Sequence, residues 1–297
     1  MSSSTINKAA PIWATNLQAK GALMALAGAL LMSIEPVIVR FSGTSAINTA
    51  FLFGLYTAIS MPIFIQLLDK RGLFLTLKES GWPVLAAGLL MLGSASGLIL
   101  SIKLTSIANT FIIMSSTPAI SALFSWMLTG EKTKASTWVA ISLVMMGIGI
   151  VVFGSFGQGN WVGDALALFA VVCLSLIQAL MRKYQNTSRM ASVGMGGFFM
   201  AATLFFFAEP ASFSLNTWLI MAIMGLFTAP FGRVLAQTAT RYITPAEVGL
   251  ILMVETILAP LFGFAVFGEV PPVLTLVGGS VILTTVFTYV FAAFKQA

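Results

Sequence analysis

ANTFIIMSSTPAISALFSWMLTGE (108–131) and AEVGLILMVETILAPLFGFAVFGE (246–269) lie over each other without a gap, and both end on Gly-Glu. Each is an almost unbroken apolar run, close to the roughly 20 residues an α-helix needs to cross a hydrocarbon core. The loops after them differ. Gly130-Glu131 leads into Lys132-Thr133-Lys134; Gly268-Glu269 leads into Val270-Pro271-Pro272, with no base. Lysine and arginine collect in the cytoplasmic loops of membrane proteins. The two segments are therefore expected to cross a bilayer in opposite directions, as inverted copies of one unit.

A second overlay lies upstream. GALMALAGALLMSIEPVIVR (21–40) matches GDALALFAVVCLSLIQALMR (163–182), with Gly21 on Gly163, Ser33 on Ser175 and Arg40 on Arg182. Around these anchors, apolar runs predict spans at 20–41, 47–68, 82–103, 108–129, 137–153, 161–181, 190–208, 215–237, 245–267 and 273–294. The fold class expected is all-α integral membrane, about ten helices as two inverted five-helix repeats around a central cavity. Residues 1–155 hold the first repeat behind a short cytoplasmic N-terminal tail, and 156–297 hold the second. The apolar run at 21–39 exceeds the roughly 7–15 residues of a signal-peptide core, and it is expected as a retained first helix.

Composition agrees. The chain is 58% hydrophobic and 8% charged, against about 25% charged in soluble domains. With the N-terminus inside, one side of the membrane receives Lys8, Lys20, Lys70, Arg71, Lys78, Lys132, Lys134, Arg182, Lys183, Arg189, Arg241 and Lys295; the other receives Arg40 and Lys103. Both termini are expected in the cytoplasm, in a bacterial inner membrane. Trp82, Trp126, Trp138, Trp161 and Trp218 fall at span ends, as an aromatic belt does. The net charge of +6 is scattered through short loops, and this pattern does not suit nucleic acid. Histidine is absent and Cys173 is the single cysteine, so Ser-His-Asp, Cys-His and intrachain disulfide chemistry are excluded. No metal-ligand spacing or nucleotide motif is present. No cofactor and no metal site are expected, and the chain is not expected to be an enzyme.

The run TPAISALFSWMLTGEKTKASTWVAISLVMMGIGIVV (117–152) and its counterpart LAPLFGFAVFGEVPPVLTLVGGSVILTTVF (258–287) resemble the EamA-type transporters of the drug/metabolite transporter superfamily. There a proline-bearing helix leads into a Gly-Glu turn and then the glycine-rich last helix of each repeat. The resemblance covers essentially the whole chain and extends to YddG-like amino-acid exporters. It implies a cavity between the halves and transport of small metabolites, often efflux of amino acids.

Ionisable groups inside a span are costly and are functional candidates. Glu255 and Arg233 come out at nearly the same depth and could pair, either as a substrate site or as a structural bridge. Glu35, just before Pro36, could join Arg40 or Lys103 in an outer gate, or those bases could simply snorkel. Pro118, Pro36 and Pro260 interrupt spans and free backbone carbonyls. Ser115, Ser116 and Thr117 bring hydroxyls to one such break, and Thr117 overlays Glu255. Tyr56 and Gln237 are polar groups that could meet a ligand or a neighbouring helix. Arg233, Glu255, Glu35, Tyr56, Ser115, Ser116, Thr117 and Gln237 are the substrate-site candidates. Arg40, Lys103, Pro118, Pro36 and Pro260 are the gating or structural candidates. The partners expected are a small amphiphilic molecule, such as an apolar or aromatic amino acid, and membrane lipid, with the chain a monomer or homodimer. Proton coupling is expected through Glu255. A membrane enzyme or scramblase working on a lipid-linked substrate is the alternative.

Overall fold

In a computed structural model, residues 17–105, 110, 113–153, 160–268 and 273–295 are described. Among them every regular element is helical. The α-helices are α1 (Leu17–Ser33), α2 (Glu35–Ser42), α3 (Ala46–Leu68), α4 (Gly72–Ser80), α5 (Trp82–Leu104), α6 (Thr117–Thr129) and α7 (Ala135–Phe153) in the first half. The second half has α8 (Trp161–Lys183), α9 (Arg189–Leu204), α10 (Leu215–Ile223), α11 (Ala229–Ala239), α12 (Pro245–Leu252), α13 (Glu255–Phe267) and α14 (Val273–Lys295). Each expected span corresponds to one of these helices or to a broken pair, 108–129 through its described part. Leu17–Ser42, Ile47–Leu68, Trp161–Lys183, Leu215–Ala239 and Pro245–Phe267 are each long and apolar enough to cross a membrane. α4 and α5 meet at 87°, so α4 turns away from the span that α5 begins. Arg71 ties this corner to Asp69 and Glu79, each at 2.8 Å. Hydrogen bonds from Arg71 hold the Asp69 carboxyl below the usual carboxylate range.

Local chemistry sets the helix ends. Ser45, Ser188 and Ser214 accept the backbone N–H three residues on, and Thr244 forms a reciprocal cap with Glu247. Gly130 and Gly268 close α6 and α13 at φ of +73° and +71°. These left-handed values cost little only for glycine, and they explain why both repeats carry Gly before Glu. Pro36, Pro118 and Pro230 stand in the first turns of α2, α6 and α11, where a missing N–H goes unnoticed. Pro260 and Pro62 lie within α13 and α3.

The two halves interlock instead of packing side by side. α3 lies on α9 and α7 on α14, each helix against its own repeat counterpart, and α6 lies on α12, the first part of its counterpart span. α5 packs on α8 as α11 packs on α1, which is the same pair of elements with the halves exchanged. At the α3–α9 crossing Gly54 and Gly197 face each other. A Cβ on Gly197 would stand 2.8 Å from the Gly54 carbonyl oxygen. Small residues permit such close approach where lipid offers no hydrophobic drive. Gly197→Val is expected to lower stability by about 1–3 kcal/mol, the usual range for overpacking. Thermal unfolding in detergent checks this; an unchanged midpoint would contradict the crossing.

The two ends of the bundle differ in charge. The end where α1 begins gathers Lys132, Lys134 and Arg182 around one cleft and forms a basic end. The far end carries the α2 C-terminus, with Arg40 over the Phe267 ring at 4.5 Å and Phe41 against Phe267 at 5.0 Å.

Candidate functional site

Two overlaid spans break at the same place. Turns at Ser115-Ser116 and Met253-Val254 precede α6 and α13, so that Thr117 and Glu255 each open a helix. The first span also breaks, at Ile34, and Glu35 opens α2. Its repeat counterpart α8 is continuous. The first turn of a helix has unpaired N–H groups and the positive end of the helix dipole, so it favours a carboxylate. Glu35 and Glu255 are both held that way at mid-span.

Arg233 of α11 reaches Glu35 with two prongs, Nη1 to Oε1 at 2.7 Å and Nη2 to Oε2 at 3.3 Å. Nη1 also donates to the Ala229 carbonyl at 3.1 Å, and the guanidinium lies 4.7 Å from the centre of the Phe53 ring. This corrects the expected partners. Helical rise sets Arg233 level with Glu255, and Glu35 in the outer half of its span, but α11 packs against α1 and Arg233 reaches Glu35. Glu35 pairs with Arg233; the Lys103 side chain, offered as its other partner, lies outside the described residues. Glu255 feels the charge of both, yet among the described residues it forms no hydrogen bond or ion pair. The Arg233 side chain retains 30% of its surface and Glu35 12%, so the pair borders open space at a depth where lipid-facing charge is not tolerated.

The remaining candidates separate. Tyr56 donates to the Trp218 carbonyl at 2.9 Å and sets its ring edge-on to Trp218. Phe53, one turn before Tyr56, lies under Arg233, and further along α3 Phe64 packs edge-on to Phe231 of α11. A π-helical turn at Met224–Thr228 carries Gly225, whose Cβ position would meet Tyr56 at 2.6 Å. Ser116 and Thr117 donate to the carbonyls of Ile113 and Met114, both at 2.6 Å. Those hydroxyls satisfy the break itself. Ser115 is buried. Gln237 is buried with Oε1 unpartnered. Lys103 and Pro260 are placed by their backbone in α5 and α13.

Below the site, toward the basic end, the halves are shut together. All of α12 is buried. Ser121 donates to Gln178 Oε1 at 3.1 Å and Ser175 to the Thr117 carbonyl at 3.3 Å. Arg182 pairs with Glu131 at 2.6 Å and donates to the Thr240 carbonyl at 2.9 Å. Tyr289 joins Glu247 at 2.7 Å and Thr137 at 2.8 Å. The Arg182–Glu131, Ser121–Gln178, Ser175–Thr117 and Tyr289–Thr137 contacts join the repeats as a latch, whereas Arg182–Thr240 and Tyr289–Glu247 lie within the second repeat. A cleft of about 210 Å³ lies at this end, lined by Lys132, Lys134, Arg182, Tyr242, Thr244 and Glu247. Toward the far end α13 is exposed at Phe264, Ala265 and Val266. Among the described residues no group of three His, Cys, Asp or Glu could hold a metal.

Interlocked halves place the Glu35–Arg233 pair between the two repeats, and known proteins resemble nearly the whole chain. The EamA-like transporter family matches residues 19–153 and again 161–291. The chain belongs to the EamA-like transporter family. An uncharacterized transporter of Clostridium kluyveri is 22% identical over 240 residues, 74% of each chain. A protein of known crystal structure superposes with a TM-score of 0.79 at 17% identity, over 93% of this chain and 99% of its own; that likeness shows the shared fold. As an EamA-like family member the chain is a multi-pass membrane transporter. Within this fold, Gln178, Glu131, Glu247 and Tyr289 are functional candidates that sequence reasoning did not single out. The Glu131–Arg182 pair had a signal in the overlays, where both residues stand at the ends of the matched segments; Gln178 had only its polarity in an apolar run.

Proposed function

We propose that the chain is a secondary transporter that exports small amphiphilic metabolites, such as apolar or aromatic amino acids, by alternating access. The observation that carries this reading is the Glu35–Arg233 pair, one residue from each repeat, with the unpartnered Glu255 beside it. Charge at this depth is expensive unless it works, and an acid left without a partner suits a ligand's cation or a proton. A zwitterion fits the set: its carboxylate toward Arg233, its ammonium toward Glu255 or Glu35. Phe53, Tyr56, Phe64 and Phe231 offer its apolar body a wall. The family resemblance points to the same substrate class. The basic end is cytoplasmic in this reading, both termini are inside, and the conformation is open to the far side.

Reconstituted vesicles test the proposal. Labelled leucine or phenylalanine is expected to show saturable counterflow, and a pH gradient is expected to drive its accumulation. Glu255→Gln should retain counterflow and lose the gradient-driven component, because the proton carrier is gone while the binding site persists. No amino-acid flux by folded protein, with flip of labelled phospholipid instead, would replace the proposal with a scramblase. Gradient-driven rates unchanged in Glu255→Gln would leave that residue structural.

A further inference from the structure

The closed seam between α6 and α8 is polar where packing needs only small apolar residues. Thr117, Ser121, Ser125 and Thr129 recur every fourth residue along α6 and so share a face. The first three are buried. α8 adds Ser175 and Gln178 on the way to Arg182. Hydroxyls alone could serve as helix glue, which is worth about 0.6 kcal/mol on average in membranes. Gln178 does not fit that account. It is 3% exposed; Oε1 accepts from Ser121, but Nε2 has no acceptor. Gln237 on α11 is 7% exposed and its Oε1 has no donor. A buried polar atom left unpaired costs roughly 1–3 kcal/mol, and leucine or methionine at either site would avoid that cost.

Position gives the two amides a common meaning. Gln237 stands one turn from Arg233 toward Thr240, whose carbonyl receives Arg182. Gln178 stands one turn from Arg182 toward Ser175. Each therefore lies on its helix between the central charges and the latch. One orphan is a donor and the other an acceptor. We infer that this seam is the basic-side half of the substrate path, and that Gln178 and Gln237 form a second polar station there. When the latch opens, Gln178 Nε2 donates to the substrate's carboxylate and Gln237 Oε1 accepts from its ammonium. The hydroxyls of Ser121 and Ser125 line the same track. This rests on the transport reading above and adds residues that are out of reach from the far side in the present conformation.

The test separates the two sides. Gln178→Met and Gln237→Met keep side-chain length and remove the orphan atoms; thermal stability should hold or rise in Gln237→Met, whereas Gln178→Met also frees the buried Ser121 hydroxyl and should change stability by no more than about 1–3 kcal/mol. Half-saturation for amino acid presented at the basic side should rise roughly tenfold or more in each variant, as loss of a hydrogen bond to a charged group implies. Half-saturation from the far side should stay as in the unmodified protein. Unchanged basic-side values, or equal rises from both sides, would overturn the inference. Failure of the unmodified protein to move amino acids would count against the proposed substrate instead. In that event the seam is tested without substrate, by Ser125→Cys in a Cys173→Ser background. Labelling by a hydrophilic thiol reagent from the basic side supports a path, and complete protection would overturn it.

Discussion

Arg233→Gln is expected to abolish measurable binding of an amino acid at low concentration, with apparent affinity falling about 10–100-fold, the worth of a hydrogen bond to a charged group. The change also leaves Glu35 half-buried without its partner. Breaking a fully buried ion pair costs roughly 3–5 kcal/mol, and the exposure of Arg233 and Glu35 places the present cost below that. Two controls separate binding from stability. Glu35→Gln combined with Arg233→Gln should recover the stability lost by either change alone, because no unpaired charge remains, and should not recover transport. Substrate analogues make the second control. Arg233→Gln should weaken an amino acid more than its amide or a purely cationic analogue, since only the first offers a carboxylate. Equal loss for all three would mean that Arg233 merely holds Glu35 in place.

The largest loss of stability is expected at Arg189, outside the proposed site. Its side chain is 4% exposed. Nη1 donates to the carbonyls of Tyr184, Gln185 and Thr187 at 3.1, 2.8 and 2.6 Å, and Nη2 donates to Met181 at 2.6 Å. Nε reaches the Gln237 carbonyl at 3.5 Å. The carbonyls of Met181 and Gln185 at the end of α8 and in the following turn depend on this guanidinium, which also adds to bonds that the Tyr184, Thr187 and Gln237 carbonyls receive from elsewhere. Arg189→Met would strand the Met181 and Gln185 carbonyls in the interior, at about 3–5 kcal/mol, as when one partner of a buried charged network is removed. Arg189→Lys should rescue only partly, because one ammonium cannot reproduce a planar five-donor fork. Thermal unfolding and the fraction surviving detergent extraction would register both changes. A wild-type midpoint in Arg189→Met would contradict the capping role.

The sequence carried the repeat and the spans because both are written in one dimension. Hydrophobic length locates a crossing, and the Gly-Glu pair that ends both overlaid segments marks the repeat. The Ser115–Pro118 cluster located the break before α6; the matching break before α13 falls at Met253-Val254, ahead of the Pro260 expected to mark it. Azimuth was out of reach. Helical rise gives Arg233 a depth shared with Glu255 and sets Glu35 nearer the outer end, and only the packing of α11 on α1 shows Glu35 to be the partner. Burial was equally hidden. α12 is wholly enclosed, whereas Leu215 and Phe227 on the eighth span lie exposed, yet all read as apolar because a bilayer accepts both. The roles of Ser116 and Thr117 shifted for a related reason. Their hydroxyls were assigned outward to a ligand, and the structure spends them on Ile113 and Met114.

Accessibility of one residue beside the charged centre tests alternating access at this site most directly. Leu258, one turn beyond Glu255, is half-buried. As Leu258→Cys in a Cys173→Ser background, it should react with an impermeant thiol reagent from the far side while the Arg182–Glu131 latch is intact. Adding Arg182→Gln removes one charge-assisted contact and should raise labelling from the basic side roughly tenfold. Labelling confined to the far side in both proteins, with transport still running, would contradict a path that opens through the basic end.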